Sequence, residues 1–111
     1  MRRGEVYYAD LSPTVGSEIN QRRPVLIVSN DASNRAANTV TVLPITSSIS
    51  RVYPFEILLS PKESGLPKPS KAQVQQIRTI SKERLREGPL GRLSATLMRK
   101  AGDAICLHLD L

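Results

Sequence analysis

Arg23-Pro24-Val25-Leu26-Ile27-Val28-Ser29-Asn30 decides how the chain folds. Val25 to Val28 are four consecutive apolar residues, three of them β-branched. An extended chain of that kind shows apolar side chains on both faces, as a strand buried between two layers does. Pro24 has no N–H to give to a ladder, so it is expected to start the strand. It also biases Arg23 towards an extended backbone, which fixes a guanidinium where a polar loop meets a buried strand.

Upstream, Glu5 to Leu11 carries Val6, Tyr7 and Tyr8 between Gly4 and Ser12-Pro13, the pattern of a first strand closed by turn residues. Ser12 to Arg22 is polar and turn-rich, with Gly16, Ser17, Asn20 and Gln21, and reads as a long loop of the kind that often carries function. Downstream, Asn30 or Asp31 can cap one or two helical turns reaching Ala37. Thr39 to Thr46 reads as a β-branched strand, and Pro44 places its end at a sheet edge or bulge, with Thr46 where pairing is interrupted.

In Pro54 to Ser60 the residues Phe55, Ile57 and Leu59 alternate with Glu56 and Leu58, giving a further strand, and Pro61 to Pro69 is a Gly- and Pro-rich loop carrying Lys62 and Lys68. Lys71 to Ile80 reads as one strand whose period of two puts Gln76 and Arg78 on one face and Ile77 and Thr79 on the other. Ser81 to Arg86 suits a helical turn, and Leu90 to Leu93 a short strand after Gly88-Pro89. Ser94 then caps one substantial helix with a packing stripe of Leu97, Ala101 and Ile105, flanked by Met98 and Ala104. Strands first and one closing helix predict a mainly β fold, a small β-barrel plus C-terminal α-helix, as one domain over residues 1–111.

The sequence has 111 residues, 16 Lys plus Arg against 10 Asp plus Glu, and a formal net charge of +6. A balance this basic points to a polyanionic partner, and because the cations are scattered, folding must gather them. One cysteine, Cys106, excludes an internal disulfide and a Cys-rich zinc site, and one histidine, His108, leaves no imidazole pair for a metal. No metal and no cofactor are therefore expected. Cys106 and His108 lie on the closing helix, where packing or surface roles are expected, and Tyr7, Tyr8, Tyr53 and Phe55 are expected to be core. The first residues run directly into strand-like sequence without an apolar signal core, and no later run approaches membrane-spanning length, so a cytoplasmic protein without membrane attachment is expected.

Three segments can carry chemistry on a phosphodiester. Cleavage of RNA by its own 2′-hydroxyl needs cations facing the developing charge and groups that hold the phosphate in line; it needs neither a catalytic triad nor paired carboxylates. Asn20-Gln21-Arg22-Arg23 offers a guanidinium, Pro44-Ile45-Thr46-Ser47-Ser48 offers hydroxyls at a strand end, and Gln75-Gln76-Ile77-Arg78-Thr79 offers amides and a guanidinium that read base edges and backbone.

These segments, in this order, resemble the MazF/PemK family of toxin ribonucleases of type II toxin-antitoxin systems. The similarity spans nearly the whole chain: Arg3-Gly4-Glu5-Val6 with Tyr7 to Pro13, Gly16-Ser17-Glu18, Arg23-Pro24 through Ser29-Asn30, Pro44-Ile45-Thr46-Ser47, Gln76-Ile77-Arg78-Thr79-Ile80, and the tail from Leu93-Ser94 to Leu109. The resemblance implies an SH3-like barrel that forms a homodimer and cleaves single-stranded RNA, such as mRNA, at short sequences without a metal. It also implies inhibition by a MazE-like antitoxin whose tail occupies the RNA groove. It assigns Arg23 to the phosphate and transition state and Thr46 to its hydroxyl partner. Asn20, Gln76 and Arg78 line the substrate groove on this reading, and Gln21, Ser47 and Lys71 are further RNA-binding candidates. Some PemK-like members carry an Arg and an Asp where this chain has Gln73 and Gln75, which transfer no protons, so no general acid or base is assigned. Arg23 stays protonated and is expected to act by electrostatic stabilisation. Two other readings stand beside this one: a non-enzymatic barrel toxin acting on a protein such as gyrase through the closing helix, and a passive RNA-binding barrel.

Overall fold

The computed structural model describes residues 1–18 and 21–111. Seven strands form one antiparallel sheet: β1 (Glu5–Asp10), β2 (Arg22–Ile27), β3 (Thr39–Thr46), β4 (Glu56–Leu59), β5 (Ser70–Gln73), β6 (Arg78–Ser81) and β7 (Leu85–Arg92). The order is β4-β5-β3-β2-β1-β7, with β6 also paired to β3. Among the described residues three α-helices, α1 (Asp31–Ala36), the single turn α2 (Pro61–Ser64) and α3 (Ala95–Leu109), accompany the strands, with 3₁₀ turns at Val74–Gln76 and Lys82–Arg84. β4 and β7 are the ends of the hydrogen-bonded order, but the sheet curls until α2, which follows β4, packs on β7. The approach is close: a Cβ on Gly65 would stand 2.1 Å from the Leu90 carbonyl oxygen, and one on Gly91 2.6 Å from that of Ser64. The result is the mainly β, barrel-like fold with a C-terminal helix that the sequence predicts.

Two apolar clusters fill it. Val6, Leu26, Leu43, Ile45, Leu59 and Val74 pack with Leu97, Ala101 and Ala104 of α3 on one face, and Ala9, Val25, Ile27, Val40, Val42 and Ile80 pack on the other. Val25 and Ile27 thus face one cluster and Leu26 the other, which is why this strand is apolar on both faces. The Ser94 side chain accepts from the Leu97 N–H and caps α3, and Asn30 does the same for α1.

Several expectations give way to tertiary pairing. β2 begins at Arg22, so Pro24 lies inside it, opposite Tyr8 of β1; the β3 side is paired only from Val25 onward. β3 is central, not an edge: Pro44 pairs with Val25, while the opposite side passes from β6, ending at Val42, to β5, starting at Ile45. Proline thus occurs where the second partner changes, and Thr46 is paired, opposite Lys71. The strand expected over Lys71 to Ile80 is two strands split by a 3₁₀ turn at Val74–Gln76, which breaks the shared face of Gln76 and Arg78. The Pro61 to Pro69 connection opens with α2, held by a capping box between Ser60 and Glu63 and closed by Gly65 at φ +77°. β7 is longer than expected, with its register against β1 shifting between Val6 and Tyr8. Of the aromatics, Tyr53 is exposed and stacks on Phe55 with centroids 5.3 Å apart, while Tyr7 and Tyr8 are half-buried, so none is fully core. Among the described residues no helix is long and apolar enough to cross a membrane.

Candidate active site

Arg23 and Thr46 meet across two neighbouring strands. Val25 faces Pro44, and continuing that antiparallel register places Arg23 opposite Thr46. The pair borders two adjoining cavities. One, about 270 Å³, is lined by Tyr8, Arg22, Ser47 and Lys68 among others; the second, about 230 Å³, is completed by Ser48, Lys71 and Gln73. Basic side chains therefore approach one small volume from β2, β5 and the segment before β5, gathering charge that the sequence scatters.

The polar groups of this volume are incompletely satisfied. Arg23 Nε is buried and has no hydrogen-bond partner among the described residues, and so is Gln73 Oε1. A buried donor left unpaired costs on the order of 1–3 kcal/mol, a cost that a ligand oxygen removes. Thr46 Oγ1 accepts from the Ser48 N–H at 3.2 Å, which leaves its own proton free to donate into the cavity. Arg22 is held at the rim, its guanidinium 4.4 Å from the Tyr8 ring centroid and 2.5 Å from Glu87.

Behind Lys71 lies a buried network that the sequence does not reveal. Lys71 Nζ donates to Glu56 Oε1 at 2.9 Å and to the Arg51 carbonyl at 2.6 Å. Gln75 Nε2 donates to Glu56 Oε2 at 2.7 Å, and the Tyr53 N–H to Oε1 at 2.9 Å. Burial pushes the Glu56 carboxyl up, but the hydrogen bonds from Tyr53, Gln75 and Lys71 outweigh it and hold the group below the ordinary carboxylate range. Glu56 is thus an anchored anion and not a proton acceptor. Gln75 Oε1, on the same amide, is buried and unpaired.

The other expected residues gather around the loop that precedes β2. Arg78 donates to the Leu11 carbonyl at 3.3 Å and Gln76 to the Ser17 carbonyl at 3.4 Å, so both brace that loop and neither lines the two cavities. Gln21 is exposed at φ +67°, its N–H bound to Ser12 Oγ at 2.8 Å. Asn20 lies outside the described residues. Ser48 belongs to the hydroxyl-bearing segment that the sequence singles out, whereas Lys68 and Gln73 were passed over as site residues; Gln73 shares the parity of Lys71 on β5, a signal that was available. His108 is exposed on α3 with its ring 6.3 Å from Phe55, and Cys106 is exposed, both away from these cavities. No group of three or more His, Cys, Asp or Glu side chains converges on a metal position among the described residues.

The chain is 48% identical to the endoribonuclease MazF9 of Mycobacterium tuberculosis, over all of this chain and 98% of that one. It is 39% identical to the endoribonuclease EndoA of Bacillus subtilis, over all of this chain and 96% of that one. A solved mycobacterial endoribonuclease in complex with its cognate antitoxin superposes with a TM-score of 0.82 at 29% identity, covering 100% of this chain and 96% of that one. MazF of Deinococcus radiodurans shares the fold, with a TM-score of 0.85 at 22% identity over 100% and 97% of the two chains. The family described as PemK-like, MazF-like toxin of type II toxin-antitoxin system matches residues 2–109, and the chain belongs to that family.

Proposed function

We propose that this chain is a metal-independent, sequence-selective endoribonuclease toxin that cuts single-stranded RNA, mRNA in particular, and so arrests translation and growth. The observation that carries the reading is the buried, unpaired Nε of Arg23 beside Thr46, in a volume that Lys68 and Lys71 also border. A phosphodiester seated there meets a guanidinium and a hydroxyl that donate to its non-bridging oxygens. The ribose O2′ forms a bond to phosphorus as its proton passes to water, the P–O5′ bond breaks, and O5′ takes a proton from water. The products are a 2′,3′-cyclic phosphate and a 5′-hydroxyl. Arg23 and Thr46 stabilise the extra negative charge of the pentacoordinate phosphorus. Glu56 is occupied by Lys71 and Gln75, so proton transfer falls to solvent.

Selectivity rests with Asn20 and Gln21, which lie in sequence between β1 and β2, with Gln76 and Arg78, which hold the Ser17 and Leu11 carbonyls, and with Ser47 on the rim. The mycobacterial endoribonuclease noted above was solved with its antitoxin, and we infer a MazE-like antitoxin for this chain whose segment competes with RNA for the basic cavities. The chain acts as one domain over residues 1–111, in the cytoplasm, as a homodimer. Its exposed groove between β4 and α3, about 470 Å³ and bordered by Val52, Leu58 and Leu107, gives a second copy apolar surface to cover. The test is RNA against DNA of the same sequence in excess EDTA. RNA cut to cyclic-phosphate ends with DNA intact is expected; intact RNA at high protein concentration leaves a binding protein or a protein-directed toxin.

A further inference from the structure

A second basic cavity lies at the far end of the sheet from Arg23. It is about 400 Å³ and is lined by Met1, Arg2, Asp31, Arg35 and Arg92. β2 runs from Arg22, beside the candidate active site, to Ile27, whose carbonyl accepts from the Gly4 N–H at 2.8 Å. Arg92 faces Glu5 at the same end of the neighbouring pair of strands. Four residues along the strand from Arg23 to Ile27, near 3.3 Å each, put this end of the sheet about 13 Å from Arg23.

Its arginines differ from most others in the molecule. Arg3, Arg22, Arg51, Arg78, Arg84 and Arg86 each bond a backbone carbonyl, a carboxylate or a tyrosine hydroxyl. Among the described residues the guanidiniums with no such partner are those of Arg2, Arg23, Arg35, Arg92 and Arg99. Three of these five line this one cavity, and a fourth is the residue assigned to the scissile phosphate. Asp31 is the carboxylate in the lining, and it already accepts from the Arg3 N–H at 2.8 Å and from Asn34 at 3.3 Å. The hydrogen bond from Arg3 is the main reason its carboxyl sits below the ordinary range, with Arg35 and Arg92 adding to it. Three guanidiniums against one engaged carboxylate leave net positive charge, and their forked donors match the non-bridging oxygens of phosphate.

We propose that Arg2, Arg35 and Arg92 form an RNA-backbone exosite that holds phosphates of the same strand several nucleotides from the bond being cut. The inference rests on the ribonuclease reading. Such contacts anchor and carry no sequence information, so the site raises affinity for long RNA and leaves the chemistry of a short substrate unchanged.

The test compares wild type with the Arg35→Gln/Arg92→Gln double variant, both positions being exposed. Binding of a 30-nucleotide single-stranded RNA, fully 2′-O-methylated to prevent cutting, is titrated by anisotropy from low to moderate salt, alongside cleavage of a short unmodified oligonucleotide. Each phosphate contact contributes about 0.7 to the slope of log affinity against log salt on single strands, so loss of two contacts lowers the slope by about 1.4. That change, with affinity reduced about 10-fold or more at low salt and short-oligonucleotide cleavage unaltered, is expected. Equal slopes and affinities for the two proteins overturn the exosite. The short oligonucleotide carries a site that wild type cuts in a long mixed-sequence RNA; failure of wild type to cut that long RNA instead overturns the ribonuclease reading, while the slope still reports on the arginines.

Discussion

Replacing Glu56 with alanine should cost far more stability than a strand-end carboxylate ordinarily does. Its side chain is fully buried and that of Lys71 is 9% exposed, with 2.9 Å between Nζ and Oε1. The substitution leaves the Lys71 ammonium with the Arg51 carbonyl as its remaining hydrogen-bond acceptor, and it also frees the Tyr53 N–H and the Gln75 amide. Removing one member of a buried pair costs about 3–5 kcal/mol, against a total of about 5–15 kcal/mol for a domain of this kind. At roughly 4–8 °C per kcal/mol the melting point should fall by at least about 10 °C. Glu56→Leu/Lys71→Met removes both charges and should recover most of the loss, because no buried ion is left alone. The pH dependence follows from the depressed folded pKa of Glu56. Its contribution is fully present above the unfolded value of about 4.3 and is lost as pH falls through the lower folded value, so the gap between wild type and Glu56→Ala should close in acid. Urea unfolding at fixed protein concentration, at pH 7 and in steps below pH 5, measures all of this. A loss under about 1 kcal/mol at pH 7, or a double variant as unstable as the single one, refutes the reasoning.

Gln73→Leu should leave stability unchanged or raise it by up to about 1 kcal/mol, since it removes an unpaired buried oxygen, yet weaken RNA cleavage; urea midpoints and kcat/KM check the two together. Thr46→Val keeps the shape of the strand end and removes the hydroxyl, so kcat should fall about 10²-fold with little change in melting point, as measured by cleavage at saturating RNA and by thermal unfolding. Gly65→Ala should destabilise by more than about 2 kcal/mol: at φ +77° an L side chain is strained, and its Cβ would meet the Leu90 carbonyl oxygen at 2.1 Å, which denaturant titration will register. Leu107→Lys, at a position 61% exposed, should yield monomer in sedimentation if the groove between β4 and α3 joins two copies.

β2 and α3 were legible because each signals locally. The short apolar run Val25 to Val28, rich in β-branched residues and led by Pro24, favours strand over helix, and β2 takes in its first three residues; Ser94 followed by Leu97 and Ala101 fixes both the start of the helix and its buried side. Arg23 and Thr46 were legible as site residues by resemblance, and the register of β2 against β3 supplies the physical reason they belong together. Glu56 was not. Alternation within Pro54 to Ser60 sets it with Leu58 against Phe55, Ile57 and Leu59, and its burial depends on Lys71 and Gln75, fifteen and nineteen residues further on. Pro44 was read as the mark of an edge or bulge with pairing interrupted at Thr46, whereas Thr46 pairs with Lys71, because a single strand's sequence does not show that one neighbour can replace another along it. The 3₁₀ turn at Val74–Gln76 escaped for a related reason: its residues fit a period of two, and the break follows from β5 and β6 pairing with different stretches of β3.

The central claim is that Arg23 acts on an RNA phosphate. Its most direct test incubates purified wild type and Arg23→Ala with a long mixed-sequence single-stranded RNA in excess EDTA and maps the new ends. Discrete cuts carrying 2′,3′-cyclic phosphates in wild type, reduced by at least about 10²-fold in the variant while its fold is retained, are the predicted result. Uncut RNA with wild type, or equal cutting by the two proteins, contradicts it.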